Sequence, residues 1–167
     1  MTRRVAYNKA IGAGAIGALF WGLLIHLLAL CGCPVFDILR GLGTFVLPDG
    51  PEWAWLLAGV LLHMGVGAVW AVFYAFFFWS DFPLPPALQG VLFAMIPALI
   101  AGFIMVPQLD AFHPVLQRNV GVFARHLGLW GPGGLLLGHV VYGLILGALY
   151  THPVGYRVRT PRSVAHG

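Results

Sequence analysis

Four long apolar segments constrain this chain more than any other feature. They lie at about 10–30, 53–79, 87–106 and 132–151, and none of them contains Asp, Glu, Lys, Arg or Asn. A helix of roughly 20 apolar residues spans the hydrocarbon core of a bilayer. Only 8% of the residues are charged, far below the roughly one quarter of a soluble domain. The sequence therefore predicts an all-α membrane protein with four transmembrane helices, forming one domain over residues 1–167.

The basic residues predict how this bundle is oriented. Arg and Lys residues cluster before the first span and after the last one, in a tail at 152–167. Because cytoplasmic segments carry an excess of Lys and Arg, both termini are predicted to be cytoplasmic. The loops 31–52 and 107–131 are then outer loops. The basic residues are not gathered on one face, so nucleic-acid binding is not expected.

An internal repeat relates the two halves of the chain. Spans two and four match at an offset of 76 residues, with His63, Gly67, Ala71 and Tyr74 answered by His139, Gly143, Gly147 and Tyr150. Spans one and three match at an offset of 80 through rows of small residues. We interpret the chain as two tandem two-helix units, related by a pseudo-two-fold axis along the membrane normal.

Small residues at every fourth position predict close helix packing. In lipid, helices associate through van der Waals contact, and small residues let their backbones approach. The predicted packing positions are Gly14, Ala18, Gly22, Gly67, Ala94, Ala98, Gly102, Gly143 and Gly147. Such faces also suit a homo-oligomer or a larger membrane complex.

Histidines are the only ionisable residues at membrane depth. His63 and His139 have three interpretations. Each neutral imidazole makes a structural hydrogen bond across the bundle, the pair ligates a b-type haem, or the pair forms a quinol or metal site. In the haem interpretation Arg118 and Arg125 contact the propionates, and the glycines beside the two histidines either pack on helices or give room to the macrocycle.

The end of the first span suggests a separate metal site. His26, Cys31 and Cys33 are the residue types that hold a soft metal such as Cu(I). The two cysteines alternatively form a strained disulfide, because only one residue separates them.

Two local features are predicted within the second half. Pro97 interrupts the third span and is expected to kink it, because proline removes a backbone donor. In the following loop, Val115, Leu116, Val120, Phe123 and Leu127 recur every three to four residues. This spacing predicts an amphipathic helix lying on the membrane.

The segment His-Val-Val-Tyr-Gly-Leu-Ile-Leu-Gly-Ala-Leu-Tyr at 139–150 resembles the last helix of small bacterial inner-membrane proteins of the YagU-like kind. The resemblance covers about a dozen residues together with the four-span topology. It implies a multi-pass protein of the bacterial inner membrane, and it implies no reaction and no ligand.

The sequence favours a non-enzymatic membrane protein, acting as an accessory subunit or as an oligomer through its small-residue faces. No nucleophile–base pair and no phosphate-binding glycine loop is found. The alternative is an electron-transfer protein that holds haem b between His63 and His139. A small transporter is a third hypothesis, weakened by the absence of acidic residues at membrane depth.

Overall fold

The computed structural model describes residues 5–78 and 84–150. Three predicted features lie outside this part of the chain: the tail, the basic N-terminal residues Arg3 and Arg4, and the turn after the second span. The predictions about them concern residues that the structure does not describe. The described residues are mostly helical and contain no strand.

Residues 5–78 and 84–150 form six α-helices: α1 (Tyr7–Leu30), α2 (Ile38–Val46), α3 (Glu52–Phe73), α4 (Pro86–Ile100), α5 (Val106–Phe112) and α6 (Trp130–Leu149). A π-helical turn, Tyr74–Phe78, continues α3, and a second one, Ala101–Met105, joins α4 to α5. A 3-10 helix, Val122–Leu127, precedes α6.

Four helical segments of this part of the chain are long and apolar enough to cross a membrane. They are Tyr7–Leu30, Glu52–Phe78, Pro86–Phe112 and Trp130–Leu149. This confirms the all-α fold with four spans. Many large apolar side chains remain exposed on them, as a lipid solvent allows.

The third span is longer than predicted. We expected it to end near residue 106, whereas its helical path continues through the π-turn to Phe112. Pro97 lies inside α4, and the π-turn begins four residues after it. The interruption of regular α-helix therefore takes the form of a π-turn, which is a common accommodation in helices with a disturbed hydrogen-bond ladder.

Glycines bring α1 into backbone contact with α3, and α4 into backbone contact with α6. A Cβ on Gly67 would lie 2.5 Å from the Ala18 Cβ and 2.7 Å from the Gly14 carbonyl oxygen, so α1 and α3 touch through their backbones. A Cβ on Gly143 would lie 2.6 Å from both the Gly90 carbonyl oxygen and the Val91 Cα, so α4 and α6 do the same. These glycines are therefore occupied within one chain.

The remaining predicted packing positions are also buried, but not all of them face another span. Ala94 and Ala98 lie in the core, and Gly147 lies against the start of α4. Gly22 faces Leu39 of α2 as well as α3. Gly102 faces the ring of Phe123 in the 3-10 helix before α6, so its contact is not with another span.

Segments 31–51 and 113–129 meet at one end of the bundle, which we call the looped end. The first segment contains α2, a helix that the sequence analysis treated as loop. α2 packs closely on α3, since Gly43 lies against the Trp55 backbone and Gly59 lies against the Leu39 backbone. By the predicted orientation, the looped end is the outer one.

Candidate functional site

The looped end contains a pocket of 210 Å³ between the two connecting segments. One wall comes from the end of α1, the following loop and α2, and the other comes from the end of α5 and the loop that follows it. Its polar lining residues are Cys33, Asp37, Arg40, Asp110, His113 and Arg118. We call this the outer pocket.

Asp37 is held in place by two donors. The N–H of Arg40 donates to its Oδ1 at 3.1 Å, which caps the start of α2. The Nδ1–H of His26 donates to its Oδ2 at 2.7 Å, which ties α2 to α1. Both carboxylate oxygens are therefore engaged inside the protein.

Asp110 organises the loop after α5 in the same way. Its Oδ1 accepts from the N–H of Arg118 and its Oδ2 accepts from the N–H of Val120, both at 3.0 Å. Val120 is thereby drawn into the core, where it is 1% exposed.

His113 is a structural residue of this end. Its Nδ1 accepts from the backbone N–H groups of Val115 at 3.0 Å and Leu116 at 2.9 Å, so the proton of the neutral ring is on Nε2. That N–H donates to the Gly41 carbonyl oxygen at 2.9 Å and lies 3.2 Å from the Thr44 hydroxyl. The imidazole thus fastens the second connecting segment to α2.

The predicted amphipathic helix over 115–127 is wrong. Residues 115–121 are not helical, and Phe123 and Ala124 adopt left-handed backbone angles within the 3-10 segment. The physical reason is that His113 and Asp110 accept the backbone N–H groups that a helix would use. Val120 and Ala124 are buried through loop geometry instead, whereas Val115 is 56% exposed.

We expect Asp110→Ala to free this loop. It removes two hydrogen bonds to a charged acceptor, each worth about 1.5–3 kcal/mol. Hydrogen exchange of the Arg118 and Val120 amides should accelerate at least about tenfold, because 1.4 kcal/mol corresponds to a factor of ten. The control is Asp49→Ala, which changes an exposed carboxylate in another turn. Equal protection of both amides in Asp110→Ala and the unchanged protein would contradict the role of Asp110.

Deeper in the bundle, the indole of Trp21 lies between His63 and His139. Its ring centroid is 4.4 Å from that of His63 and 4.1 Å from that of His139. Gly138 makes room for it, since a Cβ there would overlap the indole nitrogen. Helix α1 therefore fills the space between the two imidazoles.

This arrangement does not fit a haem ligated by His63 and His139. The macrocycle would have to occupy the place of the Trp21 indole. The glycines that were to give it room are in contact with helices: Gly67 with α1, and Gly143 with α4. Arg118 lines the outer pocket, and Arg125 is exposed with its Nε donating to His126 at 3.4 Å.

The two histidines also lack the predicted hydrogen bonds across the bundle. The Nδ1–H of His139 donates at 2.8 Å to the Leu135 carbonyl oxygen of its own helix. The Nε2 of His63 is buried with no hydrogen-bond partner in the described part of the chain. The bond between these helices comes from Tyr142, whose hydroxyl donates to the Gly67 carbonyl oxygen at 2.7 Å.

The predicted metal ligands His26, Cys31 and Cys33 are not gathered into a site. Among the described residues, no group of three or more His, Cys, Asp or Glu side chains has the proximity that a metal ion needs. His26 binds Asp37, Cys33 lines the outer pocket and Cys31 is exposed. Both cysteines are free thiols, and the predicted disulfide between them is absent.

Comparison of the chain with protein-family models, with curated proteins and with solved structures finds no match.

Proposed function

We propose that the protein binds a small oxyanion, carried as a phosphate or carboxylate group, in the outer pocket at the membrane surface. One observation carries the proposal. Arg40 and Arg118 both line the pocket, and within the described residues neither guanidinium makes a hydrogen bond or an ion pair. Guanidinium groups are fixed forks of donors that match phosphate and carboxylate.

The acidic residues of the pocket do not satisfy these donors. All four carboxylate oxygens of Asp37 and Asp110 already accept hydrogen bonds from other groups. His113 uses both ring nitrogens for the fold, so it too is no partner for the guanidinium groups. The two aspartates balance the two arginines in charge. Each carboxylate oxygen already accepts a hydrogen bond, however, whereas the guanidinium donors make none among the described residues, so the open donors of the pocket favour an oxyanion.

The predicted association through small-residue faces receives less support. The closest-packed glycines, Gly14, Gly67, Gly90 and Gly143, are occupied by contacts inside one chain. A partner subunit or a second copy would have to use other surfaces. The lack of enzymatic activity stays a prediction. The binding role proposed for the outer pocket does not require a chemical reaction.

Titration of inorganic phosphate into the protein, held in nanodiscs of zwitterionic lipid, tests the proposal by calorimetry. We expect saturable binding, weakened about 10- to 100-fold by Arg40→Gln and by Arg118→Gln, since a hydrogen bond to a charged group is worth about 1.5–3 kcal/mol. Arg125→Gln is the matched control, because this exposed arginine of the same loop is not a lining residue.

Nanodiscs that contain phosphatidylglycerol distinguish the source of the oxyanion. If the pocket binds a lipid headgroup, the anionic lipid should compete with phosphate for the pocket. If the pocket binds a free solute, the affinity for phosphate should change only through the negative charge of the membrane surface. That change should then be the same in the unchanged protein and in the Arg125→Gln variant. The proposal fails if phosphate does not bind, or if Arg125→Gln weakens binding as much as the two pocket variants.

A further inference from the structure

A second cavity, of 90 Å³, lies below the outer pocket, among α1, α2, α6 and the segment from the π-turn to α5. Its lining side chains are apolar apart from those of Trp21 and His139. Its lining includes Trp21, Leu42, Ala101, Met105, Leu135 and His139. We call it the inner cavity.

The tautomer of His139 determines what this residue offers. The Leu135 carbonyl oxygen can only accept, and it lies 2.8 Å from Nδ1, so Nδ1 carries the proton. The Nε2 of the neutral ring therefore keeps a lone pair. No hydrogen bond to it is present among the described residues.

Water is a poor occupant for such a site. A buried water makes about three hydrogen bonds to polar groups, whereas Trp21 and His139 are the lining residues of the inner cavity that have polar side-chain atoms. An apolar molecule with a single donor would satisfy Nε2 and leave its remaining surface in contact with the apolar lining.

The rim shows from which side a ligand would enter. Met105 lines the inner cavity and is 55% exposed on the surface of the third span. Because that span faces lipid, a molecule dissolved in the bilayer reaches the rim without crossing the polar end of the protein.

We propose that the inner cavity binds a hydroxyl-bearing apolar molecule from the lipid phase, with the hydroxyl donating to Nε2 of His139. The site does not depend on the oxyanion pocket, since its ligand enters from lipid and uses a different polar atom. The volume of 90 Å³ is below that of an engineered cavity of about 150 Å³ that accommodates benzene, so a small ring would fill the inner cavity and extend into its rim at Met105.

Phenol and toluene are matched probes, because they differ by a hydroxyl in place of a methyl group. Protein labelled with ¹⁵N in its histidines is reconstituted in bilayers, and the His139 signals are assigned by their loss in His139→Gln. We expect phenol to shift the unprotonated nitrogen of His139 saturably to lower ¹⁵N frequency, and toluene to leave that nitrogen unshifted.

Variants that fill the inner cavity complete the test. Ala101→Leu should abolish the shift of the His139 nitrogen that phenol causes. If Ala101→Leu does not fold, Leu42→Phe is used as the cavity-filling variant. Ala148→Leu, at an exposed position of α6, should retain the response. The proposal is overturned if the nitrogen does not shift at phenol levels that saturate the bilayer, which is also the result expected of a tightly held water. It is equally overturned if toluene has the same effect or if the folded filling variant still responds.

Discussion

Gly143→Leu is expected to destabilise the bundle by about 3 kcal/mol, at the upper end of the range for overpacked cores. The Cβ alone would lie 2.6 Å from the Gly90 carbonyl oxygen and 2.6 Å from the Val91 Cα. Both are backbone atoms, so no rotamer change can relieve the overlap. Helices α4 and α6 must separate, which loses the close contact that holds helices together in lipid.

Gly65→Leu is the matched control. Gly65 is an exposed helical glycine, and a Cβ added to it would have no neighbouring atom within 4 Å, so leucine there gains helix propensity without a clash. Reversible unfolding in bicelles compares the two variants with the unchanged protein. If Gly143→Leu is no less stable than Gly65→Leu, α4 and α6 do not meet at their glycines.

The four spans could be predicted from the sequence because a bilayer restricts the backbone conformations of an apolar segment. Uncharged runs of about 20 residues have no other stable state in a bilayer than a helix. The looped end was not predictable in the same way. α2 is only nine residues long and follows a polar stretch, and it is held by Gly43 and Gly59 against α3, a contact between segments that no local pattern reveals.

The periodicity of the loop before α6 led to a wrong helix prediction for a related reason. Its apolar residues recur as in a helix, but Asp110 and His113 compete for the backbone N–H groups. A single carboxylate followed eight and ten residues later by its partners leaves no recognisable motif. The outer pocket was missed with it, because its two arginines come from segments 78 residues apart in the chain.

The internal repeat stays a prediction, and the contacts suggest a simpler form of it. Gly14 lies against Gly67, and Gly90 lies against Gly143. The second pair follows the first by 76 residues in both members. A single offset would then serve both helices of the unit, in place of the separate offset of 80 proposed for spans one and three.

The centre of the bundle depends on a residue that the sequence analysis did not single out. Trp21 is a large residue in the middle of a span, away from the interfaces where tryptophan is usually enriched. The sequence feature that goes with Trp21 is Gly138, immediately before His139, because the absence of a side chain at that glycine leaves space for the indole. The contacts of this mid-span tryptophan with two histidines and a glycine could be recognised only after the structure showed which helices pack together.

Trp21→Ala is expected to destabilise the protein by about 3 kcal/mol, the lower end of the range for truncating a large aromatic core residue to alanine, since Trp21 is partly buried against the core. The lower end applies because lipid solvates an exposed indole as well as the core does, so the loss comes from packing and from the space opened between two imidazoles. Trp21→Phe should lose less, since a phenyl ring keeps part of the contact with His63 and His139.

Trp53→Ala supplies the comparison at an exposed tryptophan, because Trp53 is 72% exposed near the start of α3. It should change the unfolding free energy in bicelles by less than about 1 kcal/mol. Haem added to the folded, unchanged protein should give no bis-imidazole absorption spectrum, because the indole holds the space between the ligands. Equal stability of Trp21→Ala and Trp53→Ala, or a bis-imidazole spectrum lost in His63→Ala and in His139→Ala, would show that α1 does not fill the space between these histidines.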